Sequence, residues 1–278
     1  MSEAPATPTS RPSEPRARSI SEVFRVRKER GQAALIPYIC AGHPSRDESL
    51  ALMHAAVEAG ADLLEIGVPF SDPLADGPTI QKATFEALEG GMTVRGALDL
   101  LREFRRDHDT PVVLFTYLNP VYHFGLKAFV KAAKEAGAQG LLLTDLPAGA
   151  DPELERAVPE GGLSLIRLLA PTTVPDRVRE IAEGASGFLY YISRAGVTGA
   201  RTELRGELGR EVEVLRELVE LPIAVGFGIS TPEQAALVGA VADGVVVGSA
   251  LIDAVDRGGV DGGRDFLASL RVAMDRGA

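Results

Sequence analysis

Residues 222–234 read Pro-Ile-Ala-Val-Gly-Phe-Gly-Ile-Ser-Thr-Pro-Glu-Gln and contain one complete strand-to-helix transition. The apolar run Pro222–Gly226 shows no alternation with polar residues, which is typical of a parallel strand covered on both faces. Thr231 is placed as an N-cap, Pro232 at the first helical position and Gln234 for a capping box. The stretch therefore predicts a buried strand, a glycine-rich turn and a helix.

The same unit recurs along the chain from Ser21 onward. Seven further apolar runs, bounded by Gly, Pro and Asp, alternate with amphipathic stretches: Ala33–Ile39, Leu63–Gly67, Val112–Tyr117, Gly140–Thr144, Leu163–Leu168, Gly187–Tyr191 and Gly244–Gly248. Eight strand–helix units at regular spacing predict a single (β/α)8 barrel, the TIM barrel, with extra helices. A doubly wound open sheet is the alternative, but residues 40–44, Cys-Ala-Gly-His-Pro, are not the dinucleotide fingerprint expected after its first strand.

Length, charge and cysteine content restrict the class of protein. The 278 residues fit one barrel of about 250 residues, so 20–278 is predicted to be a single catalytic domain. Met1–Ser19 lacks apolar periodicity and is predicted to be a disordered tail, since its prolines disfavour the helix of a transit peptide. A net charge of −10 disfavours nucleic acid as a partner. The single cysteine, Cys40, and the lack of an apolar run near 20 residues fit a cytoplasmic protein.

Acidic residues lie in the second strand and in the loop that follows it. Residues 62–78 read Asp-Leu-Leu-Glu-Ile-Gly-Val-Pro-Phe-Ser-Asp-Pro-Leu-Ala-Asp-Gly-Pro. Glu65 lies near the carboxyl end of an apolar strand, where burial raises the pKa of a carboxyl toward the range of acid–base catalysis. Asp72 and Asp76 stand beside Pro and Gly, and local sequence alone favours a turn role for each. Spacing does not establish whether either of them lies near Glu65.

Glycine clusters after the last three strands predict a phosphate site. They are Gly196–Gly199, Gly226–Ser230 and Gly248–Ala250, and Ser249 opens a short predicted helix. The last two strand ends of a barrel often bind phosphate through backbone amides and a helix N-terminus. Two long connections, Val68–Pro78 and Ser193–Gly209, are expected on the same face of the barrel. The pattern predicts a phosphorylated ligand.

The other strand ends predict an apolar pocket beside these groups. Phe115, Leu142 and Ile39 are its expected lining, and Tyr117 and Tyr190 could add hydroxyls, although tyrosines in strands more often pack with the hydroxyl satisfied. An apolar pocket beside a phosphate site and a carboxyl suggests a flat hydrophobic group joined to a phosphorylated polyol.

Two mechanisms common in barrels are disfavoured. No lysine falls in a predicted strand, and a Schiff-base aldolase needs one. The four histidines share no metal-ligand spacing, so no metal is predicted. His43 and His123 follow strands but are interpreted as solvated loop residues.

Several of these stretches resemble the tryptophan synthase alpha chain family. The resemblance rests on residues 64–78 and on four further stretches, in order between Val23 and Ala254: 35–42, 145–147, 193–199 and 226–230. It implies cleavage of indole-3-glycerol phosphate to indole and glyceraldehyde 3-phosphate by retro-aldol chemistry. Glu65 matches the family's general acid–base, Asp76 the carboxylate that holds the indole N–H, and Tyr190 a tyrosine against the catalytic glutamate. The resemblance thus replaces the turn-only interpretation of Asp76.

The resemblance also implies the remaining site residues and the partner. The phosphate positions are Gly199, Gly228, Gly248 and Ser249. Phe227 covers the indole, and Ser193–Gly209 is a mobile lid in which Thr198 closes toward Asp76. The chain itself uses no cofactor, whereas its partner, the beta chain, carries pyridoxal phosphate and receives indole through a tunnel in an alpha2beta2 heterotetramer. Asp72, Asn119 and Pro120 face that partner. His43 stands where many relatives carry Asp.

Three alternatives to a lyase in a two-subunit complex stay open at this point. The first is a stand-alone lyase with the same chemistry. The second is an idle subunit that only activates a partner, which intact Glu65 and Asp76 disfavour. The third is another phosphate-binding barrel, such as a sugar-phosphate isomerase, which the apolar pocket disfavours.

Overall fold

The strands of this chain close into a barrel. The computed structural model describes residues 17–192, 201–226 and 228–276, apart from the side chains of residues 201–205. Eight parallel strands in these ranges pair in chain order, with β8 returning to β1. They are β1 Ala34–Cys40, β2 Leu64–Gly67, β3 Val112–Thr116, β4 Gly140–Leu143, β5 Ser164–Leu169, β6 Leu189–Ile192, β7 Ile223–Gly226 and β8 Gly244–Val247. The predicted TIM barrel is confirmed, and every predicted strand agrees to within two residues at each end.

Helices cover the outside of the barrel. The described ranges contain α1 Ile20–Glu29, α2 Arg46–Glu58, α3 Pro78–Glu89, α4 Val94–Phe104, α5 Leu118–Phe124, α6 Leu126–Ala136, α7 Pro152–Glu160, α8 Pro175–Glu183, α9 Arg201–Leu218, α10 Pro232–Gly239 and α11 Ser249–Arg276. The predicted capping box opens α10, with Thr231 Oγ1 accepting from the backbone N–H of Gln234. No helix in the described part of the chain is both long and apolar enough to cross a membrane.

The barrel interior has an apolar lower layer closed by α1. Ile20, Val23 and Phe24 of α1 pack with inward-facing strand residues, and the ring of Phe24 lies 5.4 Å from that of Phe188. Leu63 belongs to this layer, so Glu65, two residues further along the chain, faces the interior one layer higher. The site therefore lies at the carboxyl ends of the strands, above a filled core.

The last residues of the predicted tail, Arg18 and Ser19, form hydrogen bonds with the folded domain or cap its first helix. The predicted tail lies largely outside the described residues, and the division into tail and domain stays a prediction. The Arg18 N–H donates to the backbone oxygen of Asp109 at 2.9 Å, and Ser19 is the N-cap of α1.

The connection after β6 is shorter than predicted. We expected an irregular segment over Ser193–Gly209, but α9 begins at Arg201, and residues 193–200 lie outside the described residues. Leu208, Val212 and Leu215 are buried at helical spacing, so packing extends the helix through glycines that suggested a loop. In α11, by contrast, Gly259 has a φ of 62° and interrupts the helix, which leaves a short first segment beginning at Ser249, as predicted.

Candidate active site

Glu65 is a carboxyl buried in the middle of the barrel mouth. Its side chain is 1% exposed, and Oε1 has no hydrogen-bond partner among the described residues. Burial raises the pKa of Glu65 to about 8, because the charged form is poorly solvated there. At neutral pH the group is therefore mainly protonated and able to give a proton, after which its carboxylate can accept one.

Asp76 lies in the loop between β2 and α3. It is part of a turn that is hydrogen-bonded to Tyr117, the residue that directly follows β3. The Asp76 N–H donates to Pro73 O at 3.0 Å, and the Ala75 N–H donates to the Tyr117 hydroxyl, also at 3.0 Å. Burial raises the pKa of Asp76 to about 6, and a hydrogen bond with Tyr117 opposes this rise. The residue thus has a turn backbone and a carboxylate that remains available for chemistry.

Two tyrosines flank the carboxyls because glycines on the next strand leave room for them. A Cβ at Gly226 would overlap the Tyr190 hydroxyl, and a Cβ at Gly67 would overlap the Tyr38 hydroxyl. Burial first, and then the charges of Glu65 and Asp76, raise the pKa of Tyr190. The structure therefore places Tyr190 within electrostatic range of both carboxyls.

Tyr38 is a site residue that the sequence analysis missed. It pairs in register with Glu65 on the adjacent strand, and its pKa is raised by burial and by several neighbours that include Asp76 and Glu65. One signal in the sequence could have indicated it. Tyr38 lies two residues after Ile36 in β1, and residues at this spacing face the same side of a strand, here the barrel interior.

The apolar side of the site follows β3 and β4. The rings of Phe115 and Tyr38 meet edge to face at 5.3 Å, and Leu142 pairs in register with Phe115. Leu142 is fully buried in the lower layer, with the layer of Glu65 above it. Phe227, predicted to cover an indole, lies outside the described residues.

Two glycine turns and the start of α11 form the opposite side. Gly248 follows β8 directly, and its backbone oxygen accepts the N–H of Leu251 at 2.9 Å, so the helix begins at the next residue, Ser249. Gly228 has a φ of 77°, a conformation that glycine adopts without strain. Gly199 and Thr198 lie outside the described residues.

Comparison with known proteins identifies the family. A family model described as tryptophan synthase alpha chain matches residues 24–274. The tryptophan synthase alpha chain of Marinobacter nauticus is 46% identical over 263 residues, which make up 92% of this chain and 97% of that one. Tryptophan synthase subunit alpha from Legionella pneumophila has a TM-score of 0.86 and 39% identity, with 92% and 98% of the two chains covered. A structure of Mycobacterium tuberculosis tryptophan synthase has a TM-score of 0.84 and 36% identity, with 93% and 98% covered.

The chain belongs to the tryptophan synthase alpha chain family. It is therefore a carbon–carbon lyase of tryptophan biosynthesis, and the reaction of its family is the cleavage of indole-3-glycerol phosphate to indole and glyceraldehyde 3-phosphate.

In this alpha chain, the residues predicted to face a partner lie beside one groove. Asp72 and Asn119 are exposed, whereas Pro120 is buried in the first turn of α5. Asp145 accepts the N–H of Leu118 at 2.8 Å and so holds the start of α5. The neighbouring groove has a volume of about 610 Å³ and is lined by both Asn119 and Pro120.

The interpretation of His43 as a solvated loop residue is wrong for this alpha chain. Its side chain is 4% exposed, and both ring nitrogens face carboxylate oxygens, of Asp256 at 3.0 Å and of Glu86 at 3.2 Å. These partners are distant in sequence, so no local pattern indicated the burial. His123, in contrast, is exposed on α5.

Proposed function

We propose that this chain cleaves indole-3-glycerol phosphate with Glu65 as general acid–base and Asp76 as the carboxylate that stabilises the reacting indole. The observation that carries the proposal is the buried Glu65 carboxyl, whose pKa of about 8 keeps it protonated at neutral pH while Asp76 is ionised. Two carboxyls with separated pKa values can take opposite roles in one site.

The proposed reaction needs one proton delivered and one removed. Glu65 first protonates C3 of the indole, which places a positive charge on the ring nitrogen, and the Asp76 carboxylate accepts the N–H and stabilises that charge. The ionised Glu65 then takes the proton of the adjacent glycerol hydroxyl. The carbon–carbon bond breaks as the aldehyde forms, its electron pair returns to the ring, and indole leaves with Glu65 protonated again.

The remaining residues are proposed to bind and orient the substrate. Gly228, Gly248 and Ser249, with Gly199, would hold the phosphate through backbone amides and the start of α11. Phe115, Tyr117, Leu142 and Phe227 would enclose the indole, and Tyr190 would orient Glu65. Closure of the lid through Thr198 would exclude water from the acid–base pair.

We further propose that the chain acts as one subunit of tryptophan synthase in the cytoplasm, where its single cysteine, Cys40, stays reduced. Asp72 and Asn119 would contact the beta chain directly, and Pro120 would be reached through the groove that it lines. Leu74, 90% exposed in the same loop as Asp72, would add an apolar contact. The acid–base pair would perform the cleavage without a cofactor in this chain, and pyridoxal phosphate would belong to the beta chain.

The test is the release of indole by the purified full-length chain, with and without a beta chain. Glu65→Gln preserves volume but cannot transfer the proton, so we expect a loss of about 10²- to 10⁴-fold in kcat with little change in substrate affinity. Glu135→Gln, on the exposed face of α6, is the matched control and should leave the rate unchanged. Substantial turnover by Glu65→Gln, or no indole from the wild-type chain with saturating beta chain, would contradict the proposal.

A further inference from the structure

Four side chains form a charged cluster beside the barrel mouth. His43 lies in the loop after β1, Lys82 and Glu86 lie one turn apart on α3, and Asp256 lies in the first segment of α11. His43 Nε2 is 3.0 Å from Asp256 Oδ1, and His43 Nδ1 is 3.2 Å from Glu86 Oε2. Lys82 Nζ is 2.8 Å from Asp256 Oδ2. We refer to these four residues as the His43 cluster.

The centre of the His43 cluster is buried, which distinguishes it from ordinary surface ion pairs. The imidazole of His43 is buried, whereas Lys82 and Glu86 close the cluster toward solvent. His43 Nε2 is hydrogen-bonded to Asp256 Oδ1, whereas His43 Nδ1 faces Glu86 Oε2 at 3.2 Å without a hydrogen bond among the described residues. A buried, hydrogen-bonded side chain holds a fixed geometry, whereas exposed ion pairs contribute little to stability.

The His43 cluster joins the two helices that begin next to the two parts of the site, Asp76 and the proposed phosphate positions. The first helix, α3, begins at Pro78, two residues after Asp76. The second, α11, begins at Ser249 in the phosphate region. Near their starts the helices are close together, since a Cβ on Gly248 would lie 3.6 Å from Cδ1 of Ile80. The His43 cluster is a further contact between the same two helices, beyond their starts.

We propose that the His43 cluster sets the spacing between the Asp76 end and the phosphate end of the active site, and that His43 is a positioning residue for cleavage. The inference rests on the proposed function, because only a substrate that spans both ends is sensitive to their spacing. A displacement of about 1 Å from reactive geometry can cost about 10²-fold in rate, so a small rotation of α3 against α11 is sufficient. Ligands that occupy one end alone should not detect the change.

The experiment compares a spanning ligand with a one-ended ligand on the full-length chain. The spanning probe is an indole joined to phosphate through a three-carbon chain, and the one-ended probe is inorganic phosphate. We expect His43→Asn and Asp256→Asn each to weaken the spanning probe and to lower kcat about tenfold, with phosphate affinity unchanged to within about twofold. The effects of the two substitutions should be less than additive in the double variant, because both remove the contact between His43 and Asp256.

The control is His54→Asn, since His54 is hydrogen-bonded to another histidine, His108, at 2.8 Å, away from the mouth.

Unchanged affinity for the spanning probe in both variants, with a lowered Tm, would make the cluster purely structural and overturn the proposal. Equal weakening of both probes would also overturn it, because the phosphate site itself would then be damaged. If His43→Asn does not fold, Asp256→Asn gives the same comparison. A wild-type chain that binds phosphate but neither binds the spanning probe nor releases indole would contradict the proposed function instead.

Discussion

At the scale of single residues, the chemistry of this chain depends on two carboxyls with different surroundings. Glu65 is enclosed by the barrel, and its Oε1 has no hydrogen-bond partner among the described residues, whereas Asp76 is partly exposed and receives a hydrogen bond from Tyr117. Burial raises both pKa values, but it raises that of Glu65 further. The different burial of Glu65 in β2 and Asp76 in the following loop therefore separates their pKa values, so that one can act as an acid while the other is ionised.

The difference between the pKa values of Asp76 and Glu65 predicts a bell-shaped pH dependence of kcat/KM. The active form needs ionised Asp76, with a pKa of about 6, and protonated Glu65, with a pKa of about 8. The rate should rise as pH increases through 6 and fall as it passes 8, with a maximum near neutral pH. Steady-state assays across this range measure both limbs. A rate that is flat from well below 6 to well above 8 would show that these groups do not carry the protons.

Tyr117 provides a way to move one limb of that profile. Its hydrogen bond lowers the pKa of Asp76, so Tyr117→Phe should raise that pKa by about one unit and shift the acid limb to higher pH. The basic limb should stay in place. Tyr122→Phe, on the exposed side of α5, is the matched control. A uniform loss of rate with an unshifted acid limb would mean that Tyr117 acts by packing alone.

At the scale of strands and helices, glycines decide where the tyrosines can lie. The Tyr38 hydroxyl occupies the space that a side chain at Gly67 would need, so Gly67→Ala should destabilise the fold by about 1–3 kcal/mol and lower kcat by displacing the tyrosine. Gly258→Ala, where an added Cβ meets nothing within 4 Å, should leave both unchanged. Denaturant unfolding and steady-state kinetics measure the two effects. Equal stability of the two variants would show that Tyr38 moves aside freely.

Some features of this structure could be predicted from the sequence and others could not, for physical reasons. Strands covered on both faces are short apolar runs ended by Gly or Pro, so all eight were predicted closely. The burial of Glu65 could be predicted because a carboxyl within an apolar run is conspicuous. The position of Tyr38 next to Glu65 depends on strand register, and the burial of His43 depends on Asp256 at the other end of the chain. Neither relation has a local signal.

At the scale of the whole molecule, the buried acid reduces stability. The folded pKa of Glu65, about 8, lies above its ordinary value of 4.5, so the unfolded chain binds fewer protons between these values and stability falls as pH rises through that window. Glu65→Gln removes the titration. We expect the variant to be more stable than the wild type, by a margin that grows from pH 5 to pH 8 up to about 5 kcal/mol.

Thermal unfolding of both proteins at several pH values measures this margin. Glu135→Gln again serves as the control, because its carboxyl is exposed on α6. A stability difference that is independent of pH would show that Glu65 is not held protonated by the fold. Loss of activity together with a gain in stability would indicate that the catalytic acid is maintained at the expense of the fold.

The pairing of Ala34 with Gly244 also bears on how the protein is made. During synthesis on the ribosome, β1 emerges before the other seven strands, and its closing neighbour β8 emerges after them. Until then the nascent sheet has two open edges, both able to pair with other extended chains. The closed barrel has no such edge, so completion of β8 removes a site at which two nascent chains could pair.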